Sequence, residues 1–588
     1  MTRRIIRFIS ATACLLVLLA PLCAYAQTQS TAKTAPSDSP PAGTITGKVV
    51  DDRGQPLSRV EVRARLIGVA QQRQLFASTD REGAFRINDL APGAYALTTW
   101  LPAYVNAPAD ANAPQSPATY HPGDSATLTL IKGGVITGTV TNFAGEPLVA
   151  IAVSAAMLRD AGGRRIFNSA SRPVYTDDRG VYRFYGLAAG TYLVMAGGTN
   201  QYAYAVNPFD NDAPTYAPSS NRDTAEEISV HAGEEVAGVD IRYRGEQGRV
   251  VSGQVAAMAE PTGFNVTLMS AIDAGAPWSS SQYRPPGDRS FSIDGVADGD
   301  YVLVAELYGQ NASRPALATK RITVRGADVT GVELVPKPLS SVSGRVLLED
   351  SKAAECAGKP RLPMNEILVS AWHNDNEAAK QLPSFVWSVG APVAPDGEGN
   401  FTVRNLLPAE YYFTARHTAK YWYLQAVLLT PPAVAGARVA PKPIDVTRVW
   451  TNVKPGDKLT GVMITLAQGA ASLQGRLALR EGEQVPAKLV AYLVPAEREK
   501  ADDVLHYFAA PVSPDGKLTL NNIAPGRYWI VAQTVPDDSV SPLAKLRLPL
   551  ETETRARLRR DAETAKTAIE LKPCQNVTDF QLPFKPPQ

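Results

Sequence analysis

The chain has 588 residues, 45% of them hydrophobic and 20% charged, with 59 basic against 57 acidic side chains. That length asks for several domains of roughly 100–200 residues each, and the composition excludes a mostly disordered chain. The charge balance, closer still to zero once Arg3, Arg4 and Arg7 of the leader are set aside, offers no electrostatic footprint for nucleic acid or an anionic membrane surface.

Residues 1–26 read as a cleavable secretion signal. Three arginines form a basic start, residues 9–22 are an apolar run, and Ala24 and Ala26 are small residues at the −3 and −1 positions, which places the cut between Ala26 and Gln27. The apolar run falls short of the ~20 residues that span a bilayer, and no other stretch comes close, so the mature chain is expected to have no transmembrane segment. Leu22 is too large for the residue before a lipidated Cys23. Residues 27–43 (QTQSTAKTAPSDSPPAG) have no apolar periodicity and read as a flexible linker.

From there a two-part pattern recurs five times. Its first half is apolar-x-Gly-x-apolar: ITGKV at Gly47, ITGTV at Gly138, VSGQV at Gly253, VSGRV at Gly344 and LQGRL at Gly475. Its second half is a strand, a turn and a tyrosine strand, ending on Tyr95, Tyr192, Tyr301, Tyr411 and Tyr528. Each first-half glycine precedes its tyrosine by roughly 50–70 residues, and the mature chain divides into five units of roughly 110, the size of a single β-sandwich. Within a unit, Phe85 and Ile87 alternate with Arg86, the period of two of a half-buried strand. Asp51-Asp52-Arg53-Gly54, Asp80-Arg81-Glu82-Gly83 and Asp177-Asp178-Arg179-Gly180 are turn chemistry, and Gly93, Gly190, Gly299 and Gly526 are expected at positive-φ turn positions. The repeated tyrosine is expected in the core, its hydroxyl hydrogen-bonded at a strand corner. Residues 551–568 lack Gly, Pro and aromatics and predict an exposed helix before the last strand.

The expected fold is therefore all-β: five tandem prealbumin-like (Ig-like) β-sandwich domains at 44–133, 134–247, 248–338, 339–470 and 471–588, with one exposed helix near the C-terminus. In unit one, Asp51, Gly54, Pro56 and Leu57, then Thr79, Asp80, Gly83 and Phe85, then Leu90, Pro92, Gly93 and Tyr95 resemble the carboxypeptidase regulatory-like domain. Unit two keeps Gly145, Pro147, Leu148, Thr176, Asp177, Gly180 and Tyr192, whereas units three to five lose the Gly-x-Pro-Leu turn. The resemblance implies a prealbumin-like sandwich grouped with carbohydrate-binding-like folds, and an exported bacterial protein made only of such modules. In metallocarboxypeptidases the module accompanies a catalytic domain; no such domain has room here, and fold alone does not set function.

Chemistry-bearing motifs are scarce. His121, His231, His373, His417 and His506 lie far apart in sequence, and no Cys-x-x-Cys, Gly-x-Ser-x-Gly or Gly-x-x-x-x-Gly-Lys occurs, so neither an enzyme, a metal site nor a cofactor is expected. Export removes Cys14 and Cys23 with the leader and leaves Cys356 and Cys574, which either pair in an oxidising compartment or stand as one buried and one exposed thiol. The functional candidates are aromatic. Unit four holds Trp372, Trp387, Trp422 and Trp450, and Tyr421-Trp422-Tyr423 on a strand would turn one large ring outward unless another element, such as the loop 426–455, covers it. The loop from Tyr202 through Tyr204 to Tyr216 is a second candidate surface, or else a loop pinned by its own rings. The resulting expectation is a non-enzymatic secreted, periplasmic or outer-envelope protein that binds polysaccharide or an extracellular protein. The alternatives are an architectural spacer and, further off, an accessory module of an unrecognised hydrolase.

Overall fold

The computed structural model describes residues 43–68, 74–107, 119–161, 163, 172–198, 208, 209, 211–256, 263–271, 279–308, 316–373, 392–431, 441–447, 449–479, 484–486, 489–534 and 552–584. The leader with Ala26 and Gln27, the linker up to residue 42, Tyr204 and Trp387 lie outside the described residues, while Gly43, expected in the linker, begins the first strand.

Five two-sheet sandwiches follow one another, and all are built on the same plan. In unit one the glycine strand Gly43–Val50 pairs antiparallel with Ala84–Leu90 and parallel with the unit's last strand, Ser125–Lys132. The facing sheet pairs Glu61–Leu66 with Leu75–Ser78 and with the tyrosine strand Tyr95–Trp100. The same glycine strand, antiparallel neighbour and parallel closing strand recur in unit two (Gly134–Thr141, Val181–Leu187, Glu235–Val236), unit three (Arg249–Val255, Ser290–Val296, Val329–Leu334), unit four (Ser340–Glu349, Asn400–Leu406, Lys458–Gln468) and unit five (Ala471–Ala478, Lys517–Ile523, Asn576–Pro583). A core fills each sandwich, as in unit one, where Ile45, Val49, Val62, Phe85, Ile87 and Leu130 close on one another.

The turns follow their sequence chemistry. Asp51, Asp80, Asp177 and Asp396 each accept backbone N–H bonds at 2.7–3.0 Å from residues two and four positions on, which closes the turn locally. Unit two places Asn142 in the same role. The Thr-Asp motif of units one and two has a further use. The buried Thr79 hydroxyl donates to Leu57 O (2.7 Å) and accepts from Val60 N, and Thr176 does the same with Leu148 O and Ile151 N. Those bonds satisfy the backbone just after the Gly-x-Pro-Leu turn, so the two motifs belong together.

Two expectations need correcting. Only Gly93 (φ 145°) and Gly526 (φ 157°) of the four turn glycines hold positive φ. Gly190 needs its missing side chain for space instead, because a Cβ there would meet Arg159 O at 2.4 Å; at Gly299 it would crowd the Tyr301 ring at 3.1 Å. The helix, Thr552–Ala565, is exposed over most of its surface but buries a stripe of Arg555, Leu558 and Ala562. Leu558 and Ala562 pack with Val494 and Tyr507 against Tyr492, Trp529 and Val531 of the last sandwich.

Neighbouring units share contacts. The outward residues Leu158, Leu193, Met195 and Tyr216 of unit two join the core of unit three, and Leu407 of unit four packs on Met269, Val302, Val304 and Leu317 of unit three. Unit one meets unit four: Asn365 Nδ2 donates to Pro92 O (2.7 Å), and His121 lies 3.6 Å from Glu366.

Candidate functional site

The aromatic run of unit four sits at the joint with unit five. Strand Trp422–Leu429 pairs with Lys458–Gln468, and this register turns Trp422 inward, where it is 0% exposed. Part of the cover is the segment that carries Cys356, an insertion in unit four relative to the other units: Pro360 O accepts the indole N–H at 3.1 Å, and Leu362 joins the same core. Of the two outcomes that the alternation left open, the covered one holds at Trp422: the segment around Cys356 lies against the indole, and Val427, Val446 and Val453 of residues 426–455 belong to the same core. Sequence alternation placed the ring correctly on the face opposite its neighbours but carried no sign of what lay over that face.

Tyr421 and Tyr423 frame the joint. Tyr421 has a left-handed backbone (φ 68°), a conformation that costs a non-glycine residue energy. Its carbonyl accepts both Gly469 N (2.8 Å) and Ala470 N (3.0 Å) at the crossing into unit five. The Lys359 ammonium lies 4.8 Å over its ring, and its hydroxyl, bonded to the Asn576 amide at 3.3 Å and close to Lys359, is held below the ordinary phenol range. Tyr423 is half-buried beside Gly469. Cys356 and Cys574 form a disulfide across the same joint with Cα atoms 5.3 Å apart, and Cys574 N donates to Gly469 O. These residues lock one sandwich to the next.

Of the second aromatic candidate, Tyr202 and Tyr204 lie outside the described residues, and the Tyr216 end is structural. Tyr216 is buried, its strand Thr215–Tyr216 pairs with Gly190–Ala196, and its ring belongs to the cluster joining units two and three. The signal that could have placed it is the unbroken apolar run YLVMA of the partner strand, which buries both faces, whereas a strand with one wet face alternates.

The tyrosine column is core, as its repetition indicated. Tyr95, Tyr192, Tyr301, Tyr411 and Tyr528 are all buried, and each hydroxyl donates to the carbonyl four residues back at 2.7–3.0 Å. Burial pushes each phenol pKa up.

Outward rings occur singly in units two and three, at Phe143, Tyr175, Tyr185 and Tyr283, and two of them share one sheet face in unit one. On the sheet of Glu61–Leu66, Leu75–Ser78 and Tyr95–Trp100, Phe76 (69% exposed) and Trp100 (61%) share the outer face with Glu61, Arg63, Arg65, Ser78 and Thr98. Their parity was legible: in YALTTW, Tyr95 and Leu97 point in, so Thr98 and Trp100 point out. Among the described residues no group of three or more His, Cys, Asp or Glu side chains could hold a metal ion, and no helix is long and apolar enough to cross a membrane.

Five sandwiches closed by a parallel first and last strand define the chain as an all-β tandem-module protein. Residues 44–130, within unit one, match the model of the carboxypeptidase regulatory-like domain family. No curated protein matches the chain. Among solved structures it is similar to GBS52, the minor pilin of Streptococcus agalactiae (13% identity, 34% of this chain and 95% of that chain, TM-score 0.19). It is also similar to the full-length major pilin SpaD of Corynebacterium diphtheriae (12% identity, 57% of this chain, 98% of that chain, TM-score 0.13) and to a putative carbohydrate binding protein from Bacteroides uniformis (12%, 35%, 98%, 0.13).

Proposed function

We propose that the chain is an exported, non-enzymatic protein of the cell envelope or its exterior, whose braced sandwiches present a binding surface to polysaccharide or to an extracellular protein. The observation that carries the reading is the Cys356–Cys574 bond between units four and five. Such bonds persist in oxidising compartments and are rare in a reducing cytosol. The leader ending at Ala26 supports the same compartment. The non-enzymatic part is supported by what the carboxylates do: Asp51, Asp80, Asp177 and Asp396 hold their own turns, and Asp503 and Glu234 pair with His506 and His231 three residues away.

A spacer reading draws on a different observation, the packing of each unit on its neighbour and of unit one on unit four. The two readings separate experimentally. Fractionated native cells should yield the protein outside the cytoplasm, starting at Gln27, with one peptide pair linked through Cys356 and Cys574. A cytoplasmic chain starting at Met1 with both thiols free would end the export reading. Retention on envelope polysaccharide or capture of a defined surface partner supports binding. A chain that retains neither, and works with a middle unit exchanged for an unrelated sandwich of equal length, is a spacer.

A further inference from the structure

The outer face of unit one's second sheet pairs a ring, a cation and a second ring in a way that the joint aromatics of unit four do not. Cross-strand register sets Phe76 opposite Arg63 and Trp100 opposite Glu61, with Thr98 and Ser78 completing those rows. Strand spacing and the two-residue offset place the two ring-bearing Cβ atoms roughly 12 Å apart, within reach of neighbouring pyranose rings on one polymer. Arg63 is paired with Glu61 on the same face, while Arg65 has no ion-pair partner among the described residues and leaves the face with one uncompensated positive charge. Arg65 stands opposite Ala96, one row beyond Phe76 on the side away from Trp100. Exposed rings are surfaces that a partner covers, and an unpaired guanidinium beside such a ring recognises a planar carboxylate by bidentate hydrogen bonds.

We propose that this face, which presents Trp100, Phe76 and Arg65 in successive rows along the strands, binds a polysaccharide that carries carboxylates, a uronate-containing glycan. The rings take the apolar faces of the sugars, the Thr98 and Ser78 hydroxyls meet sugar hydroxyls, and Arg65 takes the carboxylate. A neutral glycan would leave Arg65 unmatched, which is why the acidic class is preferred. The inference rests on the binding reading above and narrows it to one surface and one ligand class.

The test uses the full chain on immobilised polygalacturonate, its methyl ester and neutral dextran. Retention on polygalacturonate, weaker on the ester and falling with salt, is expected. Trp100→Ala and Arg65→Gln should each weaken it about tenfold, with unchanged thermal unfolding because both side chains are exposed. In the unmodified chain, the polymer should shield Trp100 from oxidation as read by peptide mass. If the chain binds a glycan but Trp100→Ala, Phe76→Ala and Arg65→Gln all bind as before, the site lies elsewhere and this proposal falls while the binding reading survives. If no polysaccharide in a broad panel is retained, the glycan reading falls as well. Loss of a defined protein partner in Trp100→Ala, with no glycan bound, makes the face a protein-docking surface and also overturns the proposal.

Discussion

At the scale of single residues, the five first-half glycines are held by space. A Cβ on Gly47, Gly253 or Gly344 would come within 1.9–2.1 Å of a carbonyl on the parallel closing strand, on Gly475 within 2.6 Å, and on Gly138 within 2.0 Å of Val239 O, between the two short closing strands of unit two. Gly344→Ala should therefore push the closing strand of unit four aside and cost about 2–3 kcal/mol, read as a lowered unfolding transition. The corner tyrosines are held by a hydrogen bond. Tyr528→Phe keeps the ring but strands the Ala524 carbonyl, for a loss of about 1–2 kcal/mol in denaturant unfolding. His417 brings a pH dependence. Burial pushes its pKa down from 6.5 to about 4, so the folded ring stays neutral where the unfolded chain protonates it. Between those values the unfolded state binds more protons, and stability falls as the pH drops from 6.5 toward 4. The ring is half-buried, so the loss is about 1–2 kcal/mol. His417→Gln should flatten this window in a pH series of urea melts. The turn aspartates Asp177, Asp288 and Asp396, whose pKa values their backbone N–H bonds hold low, act below it, because they lose their contribution only as the pH falls below the ordinary carboxylate value of 3.8.

At the scale of elements, periodicity reported how many faces a strand buries. Tyr95–Trp100 alternates and has one wet face, whereas Gly190–Ala196 and Gly299–Tyr308 run apolar and are covered on one face by their own core and on the other by the neighbouring unit. The helix Thr552–Ala565 was legible from its composition, but its buried stripe was not. Two small or aliphatic contacts, Leu558 and Ala562, are too few to stand out among its charges. Arg559 adds the rest: its guanidinium donates to Pro495 O (2.7 Å) and Ala496 O (3.0 Å), carbonyls at the end of a strand. Leu558→Ala should cost about 2–4 kcal/mol of unit-five stability and speed proteolysis of the helix, while the fluorescence of Trp422 in unit four stays unchanged.

At the scale of the whole molecule, the joint of units four and five depends on a covalent bond between residues 218 positions apart. Reduction, or Cys574→Ala, should lower stability by about 2–4 kcal/mol and loosen the insertion over Trp422, read as a red shift of tryptophan emission. Trp422→Phe provides the reference. An unshifted spectrum in the reduced protein would mean that Pro360 and Leu362 hold the cover without the bond.

The amino-acid order alone determined five all-strand units, the turn chemistry between them and the inward tyrosine column. Each of these is a local matter, set by a period of two, by side chains that bond their own backbone and by a motif that repeats within one unit. Only the tertiary structure decided that Cys356 meets Cys574, that Trp422 and Tyr216 are covered while Trp100 is not, and that unit one touches unit four. Those outcomes depend on which surfaces of separate units come together, and a side chain's alternation tells which face it is on but not what lies over that face.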